Sequence, residues 1–165
     1  MLGGIAWNFE FHIQTHITQS TKAMKSTIRN FQKFQKLFPN EDVCLEYVFK
    51  KTSSQKCDSC GEGKRYRVSG RKCYACSRCG KQLHPLSNTL FEKSSTPLTM
   101  WFYAIFIIAH SKRAISARDL EGHLGVTYKT AWRMLNGINK RTKTRGDETP
   151  VGTERFWSLL DEIVC

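Results

Sequence analysis

Residues 57–80, CDSCGEGKRYRVSGRKCYACSRCG, hold five of the seven cysteines in this 165-residue chain. Two of its segments, at 57–61 and 76–80, share the form C-x-x-C-G, with fifteen residues between the inner cysteines. That spacing is typical of structural zinc sites, in which four thiolates surround a tetrahedral ion. The Gly after each second Cys lets the backbone turn back under the metal, often with positive φ. The stretch therefore predicts a structural Zn²⁺ bound by four cysteines: Cys57, Cys60, Cys76 and Cys79.

Cys73 leaves one alternative open, because Cys73, Cys76 and Cys79 are each three residues apart. Only Cys79 is followed by Gly, so only the pair that includes it repeats the first segment. Residues 71–75 also predict a strand, which favours Cys73 as a strand residue outside the metal shell. His84 could replace a thiolate, but it lies beyond the second knuckle and is expected on a surface strand. The whole unit, residues 53–92, is predicted to be a zinc ribbon that cannot fold without its metal, with further strands at 66–68 and 82–84.

The formal charge of +12 is concentrated in two blocks. Residues 50–82 contain ten Lys or Arg against two acidic residues, and residues 111–146 contain nine against two. Residues 147–165 instead carry one Arg against five acidic residues. Two basic blocks followed by an acidic tail indicate a polyanionic partner, most simply nucleic acid.

Cysteine usage favours a metal over disulfides, because the sequence shows no secretion signal. The N-terminus, MLGGIAWNFEFHIQTH, lacks a basic start, and polar residues interrupt it before an apolar core forms. The longest apolar run, residues 100–109, is too short to span a bilayer and predicts a buried helix. We therefore expect a cytoplasmic, nucleoid-associated protein without a membrane partner.

The first part of the chain predicts helices after an unpatterned start. Residues 1–27 show no clean periodicity and are expected to be poorly ordered, and a second translation start at Met24 is a hypothesis. Residues 28–52 predict a helical segment that stops at Pro39 and restarts with Asn40 as N-cap. Cys44 lies on the apolar face of the second helix, where a core position is expected rather than a metal-binding one.

Residues 96–143 predict a helix-turn-helix module. Thr96 is expected to be the N-cap, with Pro97 at the first helical position, of a nearly wholly apolar central helix that ends near His110. Residues 115–139, ISARDLEGHLGVTYKTAWRMLNGIN, then place apolar residues at the spacing of two helices joined at Gly125.

The second helix of this pair is predicted to lie in the major groove of DNA, as a recognition helix does. Ser116 and Thr127 are expected to cap the two helices. Trp132 could face either the core or solvent, and packing against the core is the favoured interpretation. The predicted DNA-contacting residues are Thr127, Tyr128, Lys129, Thr130, Arg133, Lys140 and Arg141. The fold class is therefore predicted as α+β, with a small zinc-ribbon β unit flanked by helices and followed by an all-α helix-turn-helix module.

One family resembles this chain in both motifs and their order. The segments FQKLFPNEDVCLEYVF, CDSCG, RYRVSGRKCYACSRCGKQ, SNTLFEKSSTPLTMWFYAIF and ISARDLEGHLGVTYKTAWRML resemble the N-terminal half of bacterial insertion-sequence transposases with a zinc ribbon and an ISXO-type DDE domain. The resemblance covers roughly residues 31–140 and implies the same four zinc ligands, with Cys73 outside the site. It also implies that this region binds the ends of the element as double-stranded DNA. In the family, an RNase H-like domain with three acidic residues and two metal ions then cuts and joins DNA.

The end of the chain departs from that family pattern. Asp147 is a weak candidate for the first catalytic acid, but the residues before it have no strand character, and no long stretch follows. Residues 144–165 are therefore interpreted as an acidic tail or the truncated start of a catalytic domain, with Mg²⁺ needed only if such a domain is supplied elsewhere. We expect the chain to be inactive alone, and to pair with itself or with a full-length transposase.

Three other functions are compatible with parts of this sequence pattern. The same two modules would suit a zinc-ribbon and helix-turn-helix transcription regulator that binds promoters. A catalytically active transposase is disfavoured by the missing acidic triad. An iron electron carrier of the rubredoxin type also uses paired C-x-x-C-G knuckles, but the basic blocks give it no support.

Overall fold

The structure, a computed structural model, describes residues 31–54, 56–61, 63–142 and 152–164. These residues form an α+β fold, as predicted, with six helices and one three-stranded antiparallel sheet. The predicted poorly ordered start, with Met24, and the candidate acid Asp147 lie outside the described residues. The helices are α1 (residues 31–37), α2 (Glu41–Thr52), α3 (Leu98–His110), α4 (Ala117–Leu124), α5 (Tyr128–Arg141) and α6 (Thr153–Val164). The strands are β1 (Arg65–Arg67), β2 (Tyr74–Cys76) and β3 (Gln82–Leu83).

Helix α3 lies at the centre of the fold because its sequence is apolar almost all round. Eight of its thirteen residues are buried, and helices α2, α4, α5 and α6 all pack against it. Helix α1 reaches it through aromatic rings, with Phe34 at 5.0 Å from Tyr103 between ring centroids. No helix in the described part of the chain is long and apolar enough to cross a membrane.

The start of α3 differs from the prediction that Thr96 caps it. Pro97 is the N-cap residue and makes no side-chain cap bond. Instead, the amide of Leu98 donates a hydrogen bond to Oε1 of Glu41 in α2, at 3.0 Å. Burial raises the pKa of Glu41, but the Lys72 ammonium and the Leu98 amide outweigh it and hold that pKa below its ordinary value. A carboxylate from another helix thus caps α3, and no local sequence pattern could indicate this.

Helix α2 begins and packs as the sequence predicts. The Asn40 side chain accepts a hydrogen bond from the amide of Val43 at 3.0 Å, so Asn40 is its N-cap. Cys44 is fully buried, and burial raises the pKa of its thiol to about 12, as expected of a core thiol. The buried face of α2 also contains Leu45, Val48 and Phe49.

Helix α6 is an element that the sequence analysis did not anticipate. It packs along α3, so part of the segment interpreted as an acidic tail belongs to the core. Its carboxylate Asp161 accepts hydrogen bonds from Tyr47 at 2.5 Å and from Lys51 at 2.8 Å, which join α6 to α2. The buried residues recur at helical spacing and are Phe156, Leu159, Leu160, Ile163 and Val164.

The small sheet has the strand order β1-β2-β3, with Ala75 opposite both Tyr66 and Gln82. β2 and β3 are shorter than predicted, and β1 begins one residue earlier than predicted. Because β2 begins only at Tyr74, the prediction of Cys73 as a strand residue is wrong, and Cys73 lies just before the strand. A turn follows β1, with Gly70 at φ 71°. The sheet docks on α2 through Tyr74, whose ring stacks on Phe49 at 3.9 Å.

Helices α4 and α5 form a pair joined at Gly125, which has φ 64° as the predicted turn requires. Ser116 caps α4 in a capping box with Asp119, and Thr127 caps α5 by accepting a hydrogen bond from the amide of Thr130. The predicted apolar residues face the core, with Leu135 only half-buried; the buried ones are Ala117, Leu120, Leu124, Ala131, Met134 and Ile138. The prediction for Trp132 is wrong, because its side chain is 53% exposed.

Candidate metal centre and nucleic-acid interface

The four predicted ligand cysteines come together beside the start of β1 and the end of β2. All four Sγ atoms lie within 4.8 Å of one another. The Sγ atoms of Cys57 and Cys79 are 3.6 Å apart, as are those of Cys60 and Cys76. Four thiolates about 2.3 Å from a tetrahedral Zn²⁺ would be spaced about 3.8 Å apart. The cluster therefore has the size that one such ion needs, and Cys73 is not among its members.

Each cysteine pair lies in a tight turn of the same construction. The amide of Gly61 donates to the carbonyl of Cys57 at 2.8 Å, and the amide of Gly80 donates to the carbonyl of Cys76 at 3.0 Å. Both glycines have positive φ, 74° and 70°, which a residue with a Cβ adopts less readily. The repeated C-x-x-C-G sequence thus becomes a repeated geometry.

The thiols of the cluster differ in acidity. Backbone amides of Cys79 and Arg78 lower the pKa of Cys76 to about 6. At Cys79 the amide of Lys81 lowers the pKa, but desolvation and the hydrogen-bonded Cys76 sulfur outweigh it and raise that pKa to about 11. Sulfurs this close can all ionise together only if a cation neutralises them. A set of four thiolates suits Zn²⁺ among the common divalent ions.

Gly63 closes over the cluster, and the sequence analysis did not single it out. A Cβ at this position would lie 2.0 Å from Sγ of Cys76 and 3.3 Å from Sγ of Cys60. A distance of 2.0 Å forces atoms to move, and the Cys76 sulfur cannot move without leaving the cluster. The second glycine after Cys60, in the stretch CGEG, was the available sequence signal.

We expect Gly63→Ala to weaken metal binding roughly ten- to a hundredfold, the range typical of changes beside a metal's ligands. The added methyl group displaces a ligand sulfur, so the effect acts on the metal site rather than on the core. Competition with a chromophoric zinc chelator measures it. Gly122→Ala on α4 is the matched control, since a Cβ there meets no atom within 4 Å. Equal zinc affinity for the two variants would contradict the assigned role of Gly63.

The basic block around the ribbon is partly neutralised inside the molecule. Arg65 pairs with Asp58 of the first knuckle at 2.9 Å, and its side chain is only 2% exposed. Arg67 and Lys72 pair with Asp42 and Glu41, at 3.0 and 2.8 Å, which ties the ribbon to the first turn of α2. Arg65, Arg67 and Lys72 are therefore engaged in ion pairs within the molecule. The cations of the ribbon that remain exposed include Lys56, Lys64, Arg71 and Lys81.

Helix α5 presents a cationic and aromatic face on the side away from the core. Its sequence, YKTAWRMLNGINKR, contains four basic residues and no acidic residue. Gly125 and the Thr127 cap fix where this helix begins, and its buried residues fix which side faces out. The exposed side chains are Tyr128, Lys129, Trp132, Arg133, Asn139, Lys140 and Arg141.

Two of the predicted DNA-contacting arginines also make intramolecular bonds. Arg133 donates to Oγ1 of Thr96 at 3.0 Å, and Arg141 donates to the carbonyl of Asn88 at 3.0 Å. Both acceptors lie in residues 84–97, the segment that connects the sheet to α3. These bonds hold α5 against that segment, so the structure gives both arginines a role that the sequence did not indicate.

Comparison with known proteins gives a distant relative. The chain is 34% identical over 70 residues to an "Uncharacterized protein in transposable element ISH50" of Halobacterium salinarum. This likeness supports an insertion-sequence-related protein. The matched stretch covers 42% of this chain and about a fifth of the relative's length, 22%. No protein-family model and no solved structure matches the chain.

Proposed function

We propose that this chain is a DNA-binding unit of an insertion-sequence transposase, which binds the ends of an element as double-stranded DNA and contains one structural Zn²⁺. The observation that carries the proposal is the exposed face of α5, which is basic, aromatic and free of acidic residues. The likeness to a transposable-element protein supports the insertion-sequence context. DNA binding would place the protein on the nucleoid, and its protein partner would be a second copy or a full-length transposase.

The proposed contact places α5 in the major groove, with α4 across it and Gly125 at the turn, as in a helix-turn-helix. Lys129 lies in the first turn of α5, where side chains of a recognition helix contact bases and neighbouring phosphates. Lys140 lies near the end of the same exposed side and would contact the backbone. The proposed Zn²⁺ would act through structure, by holding the ribbon beside this helix pair.

We expect Lys129→Ala to weaken duplex binding and to reduce the salt dependence of the association constant by about one unit of slope, if Lys129 neutralises one phosphate. The measurement is fluorescence anisotropy of a labelled element-end duplex over a series of salt concentrations. Lys36→Ala is the matched control, because it removes one exposed lysine from α1 without touching α5. Arg133→Ala is a poorer probe, since it also breaks the bond to Thr96.

Three outcomes separate the proposal from its rivals. Equal effects of Lys129→Ala and Lys36→Ala would show that α5 has no special role. Absence of salt-dependent binding to any duplex would refute DNA binding altogether. Preference for promoter duplexes over the terminal repeats of an element would instead support a transcription regulator.

A further inference from the structure

Two large aromatic side chains lie exposed on the outer face of α5. Trp132 is 53% exposed and Tyr128 is 48% exposed, and they are four residues apart, so they share one side of the helix. Exposing so much of a Trp in water is unfavourable, because its ring is among the largest apolar surfaces of any side chain. The other large exposed apolar side chains of the described residues, Leu37 and Tyr66, lie on α1 and β1. The aromatic pair is therefore a local feature of α5.

The charge around this pair favours DNA over a protein surface as its partner. The Arg118 guanidinium lies 5.4 Å from the Tyr128 ring centroid, and Lys129 and Arg133 flank Trp132 along the helix. Arg118 is paired with Glu121 of α4 at 3.1 Å, whereas helix α5 contains no acidic residue that would neutralise Lys129 or Arg133. Apolar surface framed by cations fits a polyanion that also exposes apolar groups, and thymine methyl groups are the apolar groups of the major groove.

We propose that Trp132 packs against thymine C5-methyl groups in the major groove, so that the protein selects T-containing duplex sites. This inference rests on the proposed function, because it requires α5 to lie in that groove. Trp132 is at the fifth position of α5, in the N-terminal half of the helix that contacts base edges in such complexes. Tyr128, one turn earlier, extends the same apolar surface.

Replacing thymidine by deoxyuridine in the duplex tests the contact, because thymine and uracil differ only by the C5-methyl group. Full-length chain is first used to select duplexes from a randomised library, and the enriched duplex is resynthesised with deoxyuridine for thymidine. We expect the protein to bind the deoxyuridine-containing duplex about fourfold more weakly for each methyl group that packs on Trp132 in the thymidine duplex. Burying one such group contributes about 0.8 kcal/mol. Trp132→Ala should bind both duplexes equally, and Trp132→Phe should retain part of the discrimination. Tyr66→Ala removes an exposed aromatic ring from the ribbon and should retain all of it.

Each other outcome has a definite meaning. Binding of the selected duplex without any deoxyuridine effect overturns this inference and leaves the proposed function intact. Discrimination that persists in Trp132→Ala places the methyl contact elsewhere and also overturns it. Self-association that is lost in Trp132→Ala would assign the aromatic pair to a contact between copies. If no duplex is enriched at all, both the inference and the proposed function fail.

Discussion

Chelating the metal should unfold the part of the ribbon that contains the two knuckles and the sheet, residues 56–61 and 63–83, while most of the helical core stays folded. The sheet has strands of only three, three and two residues, and its contribution to the common core is small, with Tyr74 buried and Leu83 partly buried. A unit of this size depends on its metal for stability. Hydrogen exchange measures the effect directly. The amides of Val68 and Ser77, which bond to Cys73 and Lys64 across the ribbon, should lose protection, while those inside α3 keep it.

Two cysteine variants provide a matched test of the same site. Cys60→Ser should lower the zinc content well below about one ion per chain, because it removes one of four ligands. Cys73→Ser changes a buried thiol in the same unit and should leave the zinc content unchanged, since Cys73 lies outside the cluster. Loss of zinc in Cys73→Ser would mean that the second pair is Cys73 and Cys76. Iron in the native protein, or a protected ribbon without any metal, would refute the structural Zn²⁺.

Phe156→Ala should lower the free energy of unfolding by about 3–5 kcal/mol, the usual cost of removing a buried Phe side chain. Phe156 is completely buried, and its ring centroid lies 5.4 Å from that of Phe106 and 6.0 Å from that of Phe38. It therefore joins α6 to α3 and to the segment after α1. Urea denaturation followed by circular dichroism gives the free energy, within a total of roughly 5–15 kcal/mol for a domain.

The control for this variant lies in the same helix. Ser158→Ala changes an exposed residue of α6 and should alter stability by no more than about 0.5 kcal/mol. If Phe156→Ala does not fold, Ile163→Val provides a smaller deletion in the same buried face, with an expected loss of about 0.5–1.5 kcal/mol. If residues 153–164 were a solvated tail, the three variants would have the same free energy of unfolding. That result would contradict the packing of α6.

Local patterns explain how much of the fold was predictable. The caps Asn40, Ser116 and Thr127 and the turn at Gly125 depend on hydrogen bonds and dihedral angles within a few residues, so the sequence indicates them directly. The prediction that Thr96 caps α3 failed because the amide of Leu98 bonds instead to the carboxylate of Glu41, which lies 57 residues from Leu98 in the chain. The prediction that Trp132 packs inward failed because the helical period allows a side chain at the edge of the buried face to point to the core or to solvent.

Helix α6 could have been found from Phe156, Leu159, Leu160 and Ile163, which recur at helical spacing. The acidic residues around them drew the interpretation towards a solvated tail. One of these, Asp161, is partly buried and paired with Tyr47 and Lys51, which compensates its charge at the edge of the core. Only the packing of α6 against α2 and α3 shows where these carboxylates lie.

The sequence by itself determined the four-cysteine cluster, because ligand type and spacing are local properties of two short C-x-x-C-G turns. It also determined the capped helix pair around Gly125 and the outward position of Lys129. The tertiary structure decided which cations remain available, since Arg65 and Arg67 are engaged in ion pairs with residues that the chain brings near only on folding. It also decided that a Cβ at Gly63 would meet the Cys76 sulfur and that Trp132 faces solvent. Those properties depend on what lies across space from each residue, and sequence spacing carries no information about that.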